Sequence, residues 1–219
     1  MLRLLFQKTG NAAWISHLDL MRVFQRAFKR AGLSLTHTQG FNPRPSVSIA
    51  LPMSVGVEST CELLDFDLDG ETVSCEEICN RLNRALVDGV RILQVYEQGR
   101  KIRDLALLQC SIWLEYDHGV PTEADEKIIE LFSREEVIVP KKTKNGVQEQ
   151  NVTSMIRRIS LNRVSDQELE IEALICCQNP TLNPMQIPVA IALYLPDLKP
   201  DFSKCSRKEI YDHNEKVFR

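Results

Sequence analysis

One amphipathic helix near the N-terminus, with a recognisable start and end, constrains this 219-residue chain more than any other segment. Ser16 is followed three residues later by Asp19, a spacing in which the serine side chain caps the first helical turn. The helix is therefore predicted to begin at His17. Gly32 is predicted to end it, because glycine takes the left-handed conformation after a helix end without steric cost. The core-facing stripe at helical spacing consists of Leu20, Phe24, Ala27, Phe28 and Ala31.

The outer side of this helix is cationic and carries Arg22, Arg26, Lys29 and Arg30. Residues 1–50 contain seven lysine and arginine residues and a single acid, Asp19, which gives the segment a formal charge of +6. The whole chain has a formal charge of −3, so the remaining 169 residues carry −9. An asymmetry of this size indicates a localised anion-binding surface.

A stiff loop is predicted after the helix, at residues 39–45, whose sequence is QGFNPRP. Its two prolines restrict the backbone and its glycine allows a ligand to approach closely, so the loop suits the presentation of side chains. Arginines in the helix and the loop are expected to clamp a phosphate or carboxylate bidentately. The predicted binding residues are Ser16, Asp19, Arg22, Arg26, Gln39, Gly40, Asn42 and Arg44.

His17 is the candidate catalytic residue, because it lies in the first helical turn and is expected to face whatever the loop holds. An imidazole there suits a general base or a donor to phosphate. The open alternative is a histidine that only packs or hydrogen-bonds at the start of the helix.

The elements around this helix predict a fold for residues 1–97. Strands are expected at 1–7, 46–51, 61–68 and 90–96, an extended piece at 12–15, and a second helix that opens at Thr72 and closes near residues 88–89. The order strand, helix, strand, strand, helix, strand is the ferredoxin-like, or split βαβ, plan of the α+β class. Its sheet has helices on one face and leaves the other face free. Two carboxylates, Asp65 and Asp67, are expected on a solvated strand face.

The pattern is expected to recur after a polar connector at residues 98–104, so 105–219 is predicted to be a second α+β domain with a ferredoxin-like plan. Strands are predicted at 105–116, 136–140, 155–164 and 169–177, and helices at 122–132, opened by Thr122, and 185–193. Residues 196–219 are assigned no element. The dipeptide at 145–146, Asn-Gly, predicts a hairpin, and a secondary basic patch is predicted at Lys141, Lys142 and Lys144.

Several function classes lack their sequence signals. The chain contains no apolar run long enough to cross a bilayer and no signal-peptide pattern, so a cytoplasmic location is expected. The seven cysteines are odd in number and scattered, which is typical of reduced thiols. Neither a metal site nor a nucleotide-binding fingerprint is predicted, and no cofactor is expected. No nucleophile-elbow pattern surrounds a serine or cysteine.

The chain also resembles a known bacterial family. Six short motifs carry the resemblance: KTG from Lys8, ISHLDLMR from Ile15, FQRA from Phe24, QGFNPRP from residue 39, LP at 51–52 and VGVES from Val55. These motifs are similar to those of the radical SAM-linked protein family, a domain of unknown function. The likeness is dense over residues 1–65 and thinner beyond, and residues 150–153 depart from the acidic pattern of the family.

The resemblance implies a radical SAM enzyme as a partner, often one with a cobalamin-binding domain. The chain itself has no C-x-x-x-C-x-x-C run for an iron–sulfur cluster: Cys75 and Cys79 have the first spacing, but no third cysteine follows. The radical chemistry is therefore expected to belong to the partner.

Three hypotheses for function follow from these observations. The first is an accessory protein, not an enzyme on its own, that binds ribosomal or transfer RNA and presents it to the radical SAM partner. The second is a metal-independent endoribonuclease that uses His17, by analogy with other tandem ferredoxin-like folds. The third is a protein-interaction module whose basic face docks on the partner. The sequence leaves the oligomeric state open.

Overall fold

The computed structural model describes residues 1–70, 72–97, 99–143 and 146–219. The chain divides into two compact units, Met1–Asp104 together with Phe218–Arg219, and Leu105–Val217. Each unit combines an antiparallel sheet with two helices.

The first unit has the ferredoxin-like plan. Its strand order is β4-β1-β3-β2 with every neighbouring pair antiparallel, and this arrangement confirms the predicted fold of the N-terminal half. The elements are β1 (Leu2–Lys8), α1 (His17–Arg30), β2 (Val47–Ile49), β3 (Val57–Phe66), α2 (Cys75–Ala85) and β4 (Val90–Glu97).

Alternation along β1 decides which face of the first sheet meets the helices. Leu4 and Phe6 are fully buried and belong to one apolar cluster with Phe24 and Phe28 of α1. The rings of Phe6 and Phe24 meet edge to face with centroids 4.8 Å apart. Burial of this stripe against β1 fixes α1 on the sheet, so its cationic side must face outwards.

The boundaries of α1 agree with the sequence, since Ser16 caps it and Gly32 follows it with a φ of +68°. Other expectations in this unit were wrong. Residues 12–15 are not extended: Gly10–Trp14 is a 3-10 helix, because the Ala12 N–H turns back to the Thr9 carbonyl. The helix α2 begins at Cys75 rather than after Thr72, since the Ser74 side chain accepts from the Glu77 N–H.

The second unit repeats the same strand order, so a second ferredoxin-like half is present. The order β10-β5-β9-β8 is antiparallel throughout, and the hairpin β6–β7 is inserted between the first helix and the second strand of the plan. The elements are β5 (Leu105–Glu115), α3 (Ala124–Phe132), β6 (Ile138–Thr143), β7 (Gly146–Asn151), β8 (Ile156–Arg163), β9 (Glu168–Cys176), α4 (Gln186–Tyr194) and β10 (Phe202–Asp212).

Two features of the second unit differ from the sequence expectation. The strand β10 was missed because its charged residues and a register shift between Arg207 and Glu209 obscure the alternation. The helix α3 begins at Ala124 and has no side-chain cap, so Thr122 does not open it. The turn predicted at Asn145 lies outside the described residues, although the flanking strands β6 and β7 do pair.

Two absences hold for the part of the chain that the structure describes. None of its helices is both long and apolar enough to traverse a lipid bilayer. All seven cysteines lie within this part, and none of them forms a disulfide.

Candidate nucleic-acid interface

The predicted binding residues at the start of α1 form a capping cluster. The Ser16 Oγ accepts from the Asp19 N–H at 3.2 Å and donates to Asp19 Oδ2 at 2.7 Å. Arg22 donates to Asp19 Oδ1 at 2.7 Å. The hydrogen bonds from Ser16 and Arg22 lower the pKa of the Asp19 carboxyl. Asp19 therefore stays ionised, and its carboxylate is hydrogen-bonded by Ser16 and Arg22. This is a structural role for a residue that was predicted to bind a ligand.

His17 is half-buried at the first turn of α1. Its Nδ1 is shielded from solvent and has no hydrogen-bond partner among the residues described. A general base normally needs a group that orients its ring, and the nearby carboxylate of Asp19 is already engaged by Ser16 and Arg22. The described contacts do not assemble a catalytic pair around His17.

Two of the seven cations in residues 1–50 belong to the interior. Arg3 is fully buried and donates twice to the Asp65 carboxylate, at 2.6 and 3.0 Å. Lys8 is also fully buried and donates to the Ala13 carbonyl at 2.9 Å. The expectation of a solvated strand face at Asp65 was therefore wrong, because that carboxylate neutralises a buried guanidinium.

The helix-free face of the first sheet is consequently not an open platform. Arg3 lies between its paired neighbours Asp65 and Tyr96 on that face, and its Cζ is 5.5 Å from the centroid of the Phe218 ring. Leu5 and Leu63 on the same face are buried as well. A ligand must therefore meet the first unit from another side.

The exposed cations of the first unit gather on its helix layer. Together α1 and α2 carry six lysine or arginine residues and three acids, a net charge of +3. Two of the cations are paired within their helices, Arg22 with Asp19 and Arg81 with Glu77. The cations that form no ion pair among the described residues are Arg26, Lys29, Arg30 and Arg84.

Two pockets flank α1 along its C-terminal half, one on each side. The first lies between α1 and α2, has a volume of about 410 Å³, and is called here the arginine cleft. Arg30 is held in it by a hydrogen bond to the Ala85 carbonyl at the end of α2. The cleft is lined by Arg30, Ala31, Arg81, Arg84 and Ala85. Three guanidinium groups thus line one opening, and the one from Arg81 is paired with Glu77.

The second pocket, called here the hairpin pocket, lies between α1 and the stem of the 39–45 loop and has a volume of about 410 Å³. Lys29 lines this pocket while its neighbour Arg30 lines the arginine cleft, so consecutive residues serve the two sides of α1. Sequence reasoning missed both pockets, since their walls come from segments that are distant in the chain.

The 39–45 loop is the tip of a small hairpin whose stem is closed by Thr38 and Arg44. The Thr38 N–H donates to the Arg44 carbonyl at 2.8 Å, and the Arg44 N–H donates to Thr38 Oγ1 at 3.0 Å. Gly40 has a φ of +135°, which only glycine adopts readily. The side chains of the tip are exposed, Gln39, Asn42 and Arg44 among them.

The hairpin approaches a different part of α1 from the one expected. Its stem residues His37 and Pro45 lie beside Gln25 and Lys29 in the C-terminal half of the helix, not beside His17 at its start. No described contact joins Arg44 to Arg22 or Arg26, and Arg22 is engaged by Asp19, so the three-arginine clamp stays a prediction. Sequence reasoning also missed Phe41, whose ring is fully exposed at the tip.

The secondary basic patch belongs to the inserted hairpin of the second unit. Lys141 is half-buried and donates to the Thr181 carbonyl at 3.3 Å, while Lys142 is exposed. Lys144 lies outside the described residues. One of the two described lysines is thus committed to an internal contact.

Fold and charge together define an α+β protein of two ferredoxin-like units, the first with a basic helix layer. The chain belongs to the bacterial family described as "Uncharacterized protein conserved in bacteria (DUF2344)", whose model matches residues 1–184. No curated protein matches the sequence.

Solved structures with similarity to this chain have low sequence identity to it. One is a chain of an H/ACA ribonucleoprotein bound to a substrate RNA containing 2'-deoxyuridine, with a TM-score of 0.50 and 8% identity over 98% of this chain and 48% of that one. Another belongs to a Cbf5–Nop10–Gar1 complex, with a TM-score of 0.43 and 10% identity over 95% of this chain and 57% of that one. This chain thus spans about half the length of these structures. At 8% identity the likeness concerns the fold alone.

Proposed function

We propose that this protein binds RNA through the helix layer of its first unit. The observation that carries the proposal is the set of cations on α1 and α2 that form no ion pair among the described residues, which includes Arg26, Lys29 and Arg84. Burying a cation without a partner is costly, but exposed cations at close spacing attract the phosphates of a nucleic acid. Lysine and arginine near helix C-termini also complement the helix dipole. That effect explains single residues in the last turns, but not three arginines around one cleft.

Guanidinium chemistry favours phosphate as the ligand. Arginine presents a planar fork of donors that matches phosphate oxygens bidentately. In the arginine cleft, Arg84 has its fork unengaged among the described residues, whereas Arg30 and Arg81 use part of theirs on the Ala85 carbonyl and the Glu77 carboxylate. The fully exposed ring of Phe41 offers a base an aromatic face at the tip of the neighbouring hairpin. Contacts to the phosphate backbone of the RNA, together with one aromatic ring on which a base can stack, suit an RNA with unpaired nucleotides.

The identity of the RNA and of a protein partner rests on resemblance. The family likeness of residues 1–65 implies a radical SAM enzyme, and we propose that the chain presents ribosomal or transfer RNA to such an enzyme. The acidic remainder of the chain would then be free for that contact. A pull-down of the partner with and without nuclease treatment tests this step, because an association bridged by RNA disappears when the RNA is digested.

A salt-dependent binding measurement tests the main proposal. The variant Arg26→Glu with Arg84→Glu reverses two unpaired cations on α1 and α2 without touching the core. Its matched control is Arg134→Glu with Lys199→Glu, which reverses two exposed cations of the second unit that likewise form no ion pair among the described residues. We expect the first variant to lose about tenfold or more of its RNA affinity at about 0.1 M salt, and the slope of log K against log salt to fall by about one per lost phosphate contact.

The control should bind RNA like the wild type. Equal affinities for both variants and the wild type would contradict the proposed surface. No RNA retention by the wild type at low salt would contradict the function itself.

A further inference from the structure

The hairpin pocket has the construction of a ligand site. Its volume of about 410 Å³ falls within the range of roughly 300–1,000 Å³ of pockets that hold small molecules. The floor is apolar, since Phe28 and Leu33 are buried and Leu35 and Pro45 are half-buried. Such a floor favours a flat ligand with an apolar face.

The rim of the hairpin pocket is polar and unengaged. The side chains of Gln25, Lys29, Ser34 and His37 line it, and none of them makes a hydrogen bond or ion pair within the part of the chain that the structure describes. An amide, a hydroxyl, an imidazole and an ammonium group at one opening offer both donors and acceptors to the edge of a ligand. Solvated side chains are common at surfaces, but four of them around one apolar floor make a site with a defined chemistry.

The backbone holds the walls of this pocket in place. The Asp69 N–H donates to the Ser34 carbonyl at 2.8 Å, and the Thr36 N–H donates to the Asp67 carbonyl at 3.0 Å. At the mouth, Gly32 leaves open space, since a Cβ there would have no heavy atom within 4 Å. The pocket is therefore formed without a ligand and is accessible from solvent.

A nucleobase matches these walls. Its two faces are flat and apolar enough to lie on the half-buried Leu35 and Pro45, and its edge carries the donors and acceptors that Gln25 and Ser34 can meet. Its phosphate would remain outside, where Lys29 is exposed and Arg26 lies one helical turn earlier on α1.

We propose that the hairpin pocket holds one unpaired nucleobase of a bound single-stranded RNA. This inference rests on the proposed function and deepens it, because it predicts a preference for single-stranded over fully paired RNA. A base inside a duplex is stacked and paired, so it cannot enter the pocket without first being released.

The test compares pocket-filling and control variants on matched RNAs. Ser34→Trp places an indole in the pocket from an exposed position, and Ser54→Trp makes the same change at another exposed serine of the first unit. The probes are a short single-stranded RNA with one fluorescent adenine analogue, the same RNA paired with its complement, and adenosine monophosphate alone. Binding is followed by anisotropy and by the fluorescence of the analogue.

We expect wild type and Ser54→Trp to bind the single strand more tightly than the duplex and to change the emission of the analogue. Ser34→Trp should lose about tenfold in single-strand affinity while its duplex affinity is unchanged, because one stacked base is removed from the complex. Gln25→Ala, which removes only the amide, should lose less and keep the fold. Thermal unfolding of each variant checks that the fold is intact.

Three results would overturn the inference, and they are distinguishable. If Ser34→Trp binds both RNAs like the wild type, the pocket takes no part in RNA binding. The proposal that the helix layer binds RNA is then unaffected. If the wild type binds adenosine monophosphate tightly and shows no preference for the RNA, the ligand of the pocket is a free nucleotide. Failure of the wild type to bind either RNA overturns the proposed function together with this use of the pocket.

Discussion

The two units share one strand order but differ in the chemistry of their helices. In the first unit α1 and α2 carry a net charge of +3, whereas in the second unit α3 carries −2 and α4 has no charged residue. Exposed apolar side chains occur on α3 and α4, at Ile129, Val189 and Leu193, and on α1 at Leu18. The same fold therefore presents a basic layer in one unit and an acidic, apolar layer in the other. Function must be argued from the site, since the fold is common to both.

One ion pair from each unit illustrates how burial changes the energetics of charge. Arg3 of the first unit is fully buried against Asp65, while the second unit joins Arg163 to Asp125 across exposed side chains. Removing one partner of a buried pair leaves an uncompensated charge in a poorly solvating environment. An exposed pair loses little, because water replaces the partner.

The largest effect is expected from the substitution Asp65→Asn. It should lower the free energy of unfolding by about 3–5 kcal/mol, because the shape of the side chain is kept while Arg3 loses its counter-charge. Asp125→Asn is the matched change in the second unit and should cost less than about 1 kcal/mol. Chemical denaturation measures both, and similar losses for the two variants would refute the distinction between the units.

A smaller effect separates the helix starts of the two units. Ser16→Ala removes the side-chain cap of α1 and should cost about 1 kcal/mol, because the Asp19 N–H loses its acceptor. Thr122→Ala precedes α3, which has no side-chain cap, and should change stability by less than about 0.5 kcal/mol. The same variants test the site, since RNA affinity should be unchanged if Ser16 acts only as a cap. If Ser16→Ala lost RNA binding without losing stability, Ser16 would contact the RNA.

Local signals explain which parts of the fold were predictable. The ends of α1 followed from Ser16 and Gly32, because capping and the left-handed conformation are properties of one or two residues. Strand β10 escaped because its sequence, FSKCSRKEIYD, is charged and its register shifts within the strand. The strand pairs antiparallel with β5, a placement that only the pairing reveals.

The candidate site was predictable only in part. The cationic side of α1 followed from periodicity, but the arginine cleft joins Arg30 to Arg81 and Arg84 through the packing of two helices. Charge counting also included Arg3 and Lys8, which the structure places in the interior. Alternation with Leu2 and Leu4 places Arg3 on the face of the sheet without helices, but its burial depends on Asp65 and Phe218, which are distant in the chain. Composition alone cannot distinguish a buried cation from an exposed one.

Photochemical crosslinking of RNA to the full chain, followed by mass spectrometry of the crosslinked peptides, tests the central difference between the units most directly. We expect crosslinks within residues 22–45 and 75–85, with Phe41 and His37 as photoreactive side chains close to bases. Competition by salt should reduce these crosslinks, because the contacts are ionic. Crosslinks confined to residues 105–217 would contradict the account and assign RNA binding to the second unit.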